Sequence, residues 1–173
     1  MASGALQSIA IVLGLIALGA IFVAAEIALI SLRDSQVKQI STKGKRGARV
    51  AHLAKNPNRF LAAAQISITL CGFLSAALGA EQLGVYVIPR LEEIGLSAGT
   101  SEVISIVVIT LVIAYISLVF GELVPKRLAL YKTEAIALAL AATIDRIANL
   151  FRPIIWLLSH STDLVVRLFG ITS

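Results

Sequence analysis

Three apolar runs, each long enough to cross a bilayer, limit what this chain can become. The first runs from Ile9 to Ala25, is interrupted by Glu26, and continues apolar through Leu32 except for Ser31. The second, Phe60 to Ala80, is 21 residues without a charge, and the third, Val103 to Gly121, is 19. About 20 residues of helix span a hydrocarbon core of roughly 30 Å. The hydrophobic fraction of 58% is too high for an ordinary soluble domain, and the 14% of charged residues are clustered between the runs. The segment before the first run, Met1 to Gln7, has no basic residue, and the run is longer than the apolar part of a secretory leader. It reads as a helix that stays. The expectation is an all-α polytopic membrane domain filling residues 1–173.

Basic residues set the expected orientation. Eight of the 15 Lys and Arg fall between Arg33 and Arg59, and six follow the third run. The segment from Glu81 to Glu102 has Arg90 alone against four glutamates. Positive charge collects on the cytoplasmic side, which puts the N-terminus outside, 33–59 inside, 81–102 outside and the C-terminal part inside. The net charge of +5 is then a topology signal and requires no nucleic-acid partner.

Between the runs the pattern is helical in short pieces. Residues 33–55 read as a cytoplasmic helical hairpin broken at Lys43 to Gly47, and Asn56-Pro57-Asn58 stops it, with Asn56 or Asn58 placed to cap the next helix. Leu83 to Thr100, with Pro89, Gly95 and Gly99, reads as an outer loop holding a short helix near Arg90–Ile94, and Ser101-Glu102 as the start of the third span. Beyond Leu128, Ala135–Ile144 and Ile154–Leu158 are too short to span and suit a juxtamembrane belt of interfacial helices, with a re-entrant hairpin as the alternative. Ser67, Cys71, Ser75 and Gly79 recur every fourth residue, as do Ala20, Ala24 and Ala28, and Ser117 with Gly121; such stripes let membrane helices pack closely. Three helices enclose little space, so a homodimer is the expected way to bury polar groups. Cys71 reads as a packing residue, and His52 and His160 as surface residues.

Glu122 is the residue most in need of a reason. It follows Gly121 and precedes Pro125, at the edge of the third run. Proline has no N–H to donate and clashes one turn back, so carbonyls near Gly121 lose their partner. Irregular backbone at membrane depth persists where it is buried or lines a polar cavity. Carbonyls, a carboxylate and the Ser117 hydroxyl make an oxygen-only set suited to Mg2+ or Na+, whereas zinc would want His or Cys. The alternative is a plain ion pair from Glu122 to Lys126, four residues on. Glu26, deeper in the first run, is an ion or proton group or else a structural carboxylate bonded to a neighbouring helix. No Ser/His/Asp set, phosphate loop or nucleotide motif is present in the sequence, which argues against an enzyme.

Three segments resemble one family. Phe22-Val-Ala-Ala-Glu-Ile-Ala-Leu-Ile-Ser-Leu-Arg33, Asn56-Pro-Asn-Arg-Phe-Leu-Ala-Ala-Ala-Gln-Ile-Ser-Ile-Thr-Leu70 and Phe120-Gly-Glu-Leu-Val-Pro-Lys126 are similar to the transmembrane domain of the CNNM/CorC (hemolysin-like) family, over residues 5 to 165. The resemblance implies three membrane helices, a pair of short cytoplasmic helices, a juxtamembrane belt and a homodimer in a bacterial-type inner membrane. It implies divalent-cation transport, chiefly Mg2+ export coupled to inward Na+ flow, and CBS-pair domains as cytoplasmic partners in a full-length protein. Gly121 and Glu122 match the family's third-helix cation ligands, and Thr69 is retained. Elsewhere the chain departs: Val23 and Ala76 stand where relatives have Ser, and Gly72 where they often have Asn. A one-residue slip would bring Ser75 to the place of Ala76, and Glu26 would substitute for the hydroxyl lost at Val23. The expected ligand set is therefore Glu122 and Gly121, with Glu26, Thr69, Ser75 and Ser117 as helpers. Two further functions fit these residues: export of an organic cation such as a polyamine, and a non-transporting sensor or scaffold acting through the belt.

Overall fold

The structure, a computed structural model, describes residues 2–170, with side chains from Ser3 onward. Every regular element among the described residues is helical, as expected; residues 1 and 171–173, the ends of the expected domain, lie outside them. In chain order the elements are α1 (Ala2–Ile30), α2 (Asp34–Ser41), α3 (Gly44–Ala54), α4 (Pro57–Glu93) and α5 (Ala98–Ile116). A π-helical segment (Ser117–Leu123) leads on to α6 (Val124–Tyr131), α7 (Thr133–Leu150) and α8 (Arg152–Leu168). Among the described residues three continuous helices are long and apolar enough to cross a membrane: Ser3–Ile30, Pro57–Glu93 and Ala98–Tyr131.

These helices outrun the apolar stretches that announce them. The 37 residues of α4 make a rod of about 55 Å. The expected outer loop of residues 83–100 shrinks to 94–97, because α4 carries Pro89 inside it and ends only at Glu93. Gly95, at φ 97°, makes the reversal that a side chain would resist. α5 then starts at Ala98, three residues before the expected point, with Ser97 Oγ accepting the Thr100 N–H. The expected break at residues 43–47 is also shorter. α3 begins at Gly44, whose φ of 72° turns the chain, leaving only Thr42 and Lys43 between helices. Pro57 opens α4 from its first turn, where a missing N–H costs nothing.

The chain divides into two compact units, and α1 and α4 contribute to both. One unit takes residues 2–24 and 67–128. Its core is Val12, Ile16, Ile109 and Ile113, with Leu83, Val87 and Ile116 packed against it. The small-residue stripe of α4 turns inward as expected: Ser67, Cys71, Ser75 and Gly79 are all buried. A Cβ on Gly79 would lie 2.0 Å from Ile113 Cδ1, and one on Gly19 would lie 3.3 Å from Cys71 Cβ. Glycine therefore sets how closely these helices approach. The outward faces keep large apolar side chains such as Phe73, Leu111 and Tyr115 exposed, as a lipid surround allows.

The other unit takes residues 25–66 and 129–170. The hairpin of α2 and α3 closes so tightly that a Cβ on Gly47 would meet the Ile40 carbonyl oxygen at 1.8 Å. α3 buries Val50 and Leu53 and packs on α7, which offers the stripe Ala137, Ala141, Ile144 and Ala148. Ion pairs run along this packing: Lys43 with Glu134, Arg49 Nε with Asp145 Oδ2 at 3.7 Å, and Arg59 Nη2 with Asp145 Oδ1 at 3.7 Å. The last two helices, α7 and α8, are longer than the apolar patches at 135–144 and 154–158. No described residue of α8 is buried. His52 and His160 are exposed, the latter with its ring 4.1 Å from that of Trp156.

Candidate cation site

The site begins with a backbone irregularity in the third span. From Ser117 to Leu123 the helix widens to the π register, and the Val124 N–H reaches back five residues to the Val119 carbonyl. Pro125 follows at once and is buried. It removes the donor that an α register would supply to Gly121 and a π register to Phe120. A π bulge of this kind often marks a functional position, since it re-aims side chains that an α-helix would spread around its circumference. Here it holds Ser117, Gly121 and Glu122 on one wall.

That wall bounds a cavity of about 50 Å3. Its lining includes Ser117, Gly121 and Glu122 from the third span, Ser75 and Gly72 from α4, and Ile16 and Gly19 from α1. Liquid water takes about 30 Å3 per molecule, so the space holds one or two waters or a small ion. Gly121 is buried; a Cβ there would lie 3.4 Å from both Ser117 Oγ and Ile16 Cγ2, and 3.8 Å from the Ile16 carbonyl oxygen. The absence of a side chain at 121 thus keeps two oxygens near the cavity uncovered.

Each polar group has a distinct state. Ser75 is fully buried, and its hydroxyl lies 2.7 Å from the Cys71 carbonyl and 3.1 Å from that of Gly72. Its proton is therefore spent on its own helix, leaving oxygen lone pairs for a cation. Glu122 is half-buried, and its Oε2 accepts from Lys126 Nζ at 3.5 Å. That is the plain ion pair the sequence offered as an alternative. It coexists with the cavity, because Glu122 also lines the wall. The separation is long for a charge-assisted bond, and both side chains are 40% or more exposed, so the pair holds Glu122 weakly.

Four of the six expected ligands, Glu122, Gly121, Ser75 and Ser117, therefore share one cavity. Thr69 and Glu26 are not among its walls: Thr69 is exposed on α4, Glu26 falls in the other unit, and both have interactions of their own. Of the three departures, only Gly72 lines the cavity. Val23 is buried, Ala76 is half-buried, and it is Ser75 that reaches the wall where alignment suggested position 76. A Cβ on Gly72 would meet nothing within 4 Å, so the place of the missing Asn is open. The sequence did not single out Ile16 or Gly19, whose contribution is backbone and shape. Among the described residues no group of three or more His, Cys, Asp or Glu could hold a metal ion. Glu122 is the one carboxylate among the residues lining this cavity, beside the Ser75 and Ser117 hydroxyls and the Cys71 thiol.

Comparison with known proteins agrees with the resemblance. The family model described as the cyclin M transmembrane N-terminal domain (CNNM) matches residues 10–173. The UPF0053 protein sll0260 of Synechocystis is 44% identical over 160 residues, covering 92% of this chain and 36% of its own length. The UPF0053 protein YhdP of Bacillus subtilis is 32% identical over 158 residues, 91% of this chain and 36% of its own. A protein named polyamine export protein in Haemophilus influenzae is 27% identical over 171 residues, 96% of this chain and 39% of its own. The chain thus spans little more than a third of the length of these relatives.

Proposed function

The chain belongs to the cyclin M transmembrane N-terminal domain family, and on that premise we propose that it passes cations across a membrane, with Mg2+ export as the principal activity. The observation that carries this is the cavity against the π segment, where the half-buried carboxylate of Glu122 shares a wall with Ser75, Ser117 and Gly121, beside the Cys71 thiol and the apolar Leu15, Ile16 and Ile68. Glu122 exchanges Lys126 for the ion, and the lone pairs of the two hydroxyls replace part of its water shell. Loose binding suits transport, since an ion must leave as readily as it arrives. Inward Na+ flow would drive the cycle, the same carboxylate serving both ions in turn. Glu26 and Thr69 act, on this reading, in a state other than the one described. The protein works as a homodimer in a bacterial inner membrane, N-terminus outside, with CBS-pair domains continuing on the cytoplasmic side in a full-length form.

The test is thermal stability of the purified protein in detergent, titrated with Mg2+, Na+, Mn2+ and putrescine, for wild type and Glu122→Gln. A ligand bound only by the folded state stabilises it by mass action, by about 2.7 kcal/mol at a hundredfold excess over Kd, and so raises the melting temperature. A saturable Mg2+ shift, lost in the variant and matched by Mg2+ flux in liposomes, is the expected result. An unchanged shift in Glu122→Gln would refute the assignment. A response to putrescine alone would favour polyamine export, a reading supported by the names of relatives from Haemophilus influenzae and Salmonella typhimurium. No response to any cation and no flux would leave a sensor or scaffold.

A further inference from the structure

A second cavity, of about 560 Å3, opens within the unit of residues 25–66 and 129–170, where the ends of α3 and α7 meet the first turns of α4 and α8. It has room for a headgroup and not only for an ion. None of its lining residues is acidic, whereas Arg59, Arg152 and His52 line it together with the amides of Asn56, Asn58 and Asn149. Arg59 is half-buried and its guanidinium is fixed in place: Nη2 donates to Asn149 Oδ1 and stands 3.7 Å from Asp145 Oδ1. Asn149 has committed its oxygen to that bond and keeps its two N–H donors. Asp145 is shared between Arg59 and Arg49, so one carboxylate answers two guanidiniums and a positive charge is left over. Arg152 makes no ion pair among the described residues. The unit as a whole has twelve Lys and Arg against five Asp and Glu.

The orientation of α8 is a separate observation. Arg152, Trp156 and Ser159, spaced four and three apart, bring one face of the helix to the cavity. Ile154, Leu157, Leu158, Val165 and Leu168 lie on the other side, and every one is exposed. A helix on the surface of a protein in water does the opposite, turning its apolar stripe to the core and its polar face to solvent. No described residue of α8 is buried, so its apolar face needs a cover from outside the unit. In a membrane protein acyl chains supply one. Ile155 lines the cavity beside that apolar face, so the basic pocket and the apolar surface run into each other as a headgroup runs into its tails. Trp156, also in the wall and 61% exposed, is a residue type that favours the headgroup level.

We infer that this cavity seats the phosphate of an anionic phospholipid whose acyl chains run along the outward face of α8. The guanidiniums of Arg59 and Arg152 and the amide N–H groups donate to the phosphate oxygens. α4 begins beside them at Pro57 and adds the positive end of its dipole. By the charge-derived orientation the unit lies on the cytoplasmic side, where basic pockets between helices meet anionic headgroups. A free phosphate or an acidic peptide would answer the charges and leave the apolar face of α8 uncovered. One bound lipid touches α3, α4, α7 and α8 together, so the lipid composition of the membrane sets how firmly α8 is held. The site is independent of which ion passes Glu122.

Trp156 is the single tryptophan of the chain and stands in the cavity wall, so its fluorescence reports the site. The experiment reconstitutes the purified protein into phosphatidylcholine bilayers with a rising fraction of brominated-chain phosphatidylglycerol or brominated-chain phosphatidylcholine, and follows quenching of Trp156. The anionic lipid should reach half-maximal quenching at a mole fraction about tenfold lower than the zwitterionic one. Arg152→Gln should cut that preference about fivefold. Lys45→Gln removes the same charge from an exposed position of the unit outside the cavity, and should leave the preference unchanged. Arg59→Gln should also lower it, but gives up the pair with Asp145; Arg152→Gln has no ion pair to lose and carries the result if that variant unfolds. Equal quenching by the two lipids in the wild type overturns the inference. So does an equal loss in Arg152→Gln and Lys45→Gln, which would make the attraction one of diffuse surface charge. Relief of the quenching by inorganic phosphate or by polyglutamate, down to the phosphatidylcholine level, would give the cavity to a free anion or an acidic segment and overturn it too.

Discussion

Asp145 on α7 and Glu122 in the π segment are both carboxylates beside basic side chains, and they are held in opposite ways. Asp145 lies between Arg49 and Arg59, one guanidinium 3.7 Å from each oxygen; each separation is longer than that of Glu122 from Lys126, but there are two of them and the Asp145 side chain is only 22% exposed. Glu122 has one flexible lysine at 3.5 Å, is 40% exposed, and borders a cavity. The first arrangement ties α3 and the start of α4 to α7, helices already joined by buried Val50, Leu53 and the alanine stripe. The second ties one turn of helix to the next and joins nothing distant. A carboxylate committed to two cations is a fastener; one loosely held by a single cation can change partners. The backbone follows the same division, regular under Asp145 and widened under Glu122.

The hardest blow to the fastened region is Gly47→Ala. Its Cβ would fall 1.8 Å from a backbone oxygen, which cannot move aside as a side-chain tip can. A loss of about 1–3 kcal/mol in stability, the usual cost of overpacking, should appear as a lowered melting temperature with the Mg2+ response intact. Next comes Asp145→Asn, which leaves two guanidiniums without their shared charge. With the pair partly exposed, about 1–2 kcal/mol is expected, between the surface and buried limits, again without loss of cation response. Glu122→Gln should do the reverse: a stability change within about 0.5 kcal/mol, and cation response abolished. If each of these two variants lost both properties, the contrast between fastener and exchanger would collapse.

How much of this was legible depended on which signal was being read. The three spans follow from uncharged length, since nothing else satisfies so long an apolar run. Their ends did not follow, because Glu81 and Glu122 mark where the uncharged runs stop and not where the helix does; α4 runs on to Glu93 and the third helix to Tyr131. Pro89 and the nearby glycines suggested a loop, yet a single proline near a helix end is tolerated, and only Gly95 makes the turn. Pro125 announced an irregular backbone, and the structure gives it the form of a π segment from Ser117 to Leu123. Ser117 and Gly121 could be grouped because four residues put them on one helix face, and Glu122 because it follows Gly121 directly. Thr69 and Glu26 could not be placed from spacing, since whether a residue reaches the cavity depends on how whole helices are rotated. Rotation also decided between Ser75 and Ala76, and it is fixed by contacts such as Gly19 on Cys71 that no local pattern records.

Gly72→Asn is the mildest change and the finest probe of the exchanger. Position 72 lines the cavity and a Cβ there meets nothing, so an added amide costs no packing. Replacing glycine inside a helix should if anything raise stability by a few tenths of a kcal/mol, roughly the difference in helix propensity. Gly72→Ala shares that gain and adds no oxygen, which makes it the control. If the cation sits where Glu122, Ser75 and Ser117 converge, the amide oxygen adds a neutral ligand, and half-saturation by Mg2+ should fall on the order of threefold in Gly72→Asn alone. Equal behaviour of the two variants would place the cation's path away from position 72. It would then be the carboxylate without its cavity, and not the cavity itself, that distinguishes Glu122 from Asp145.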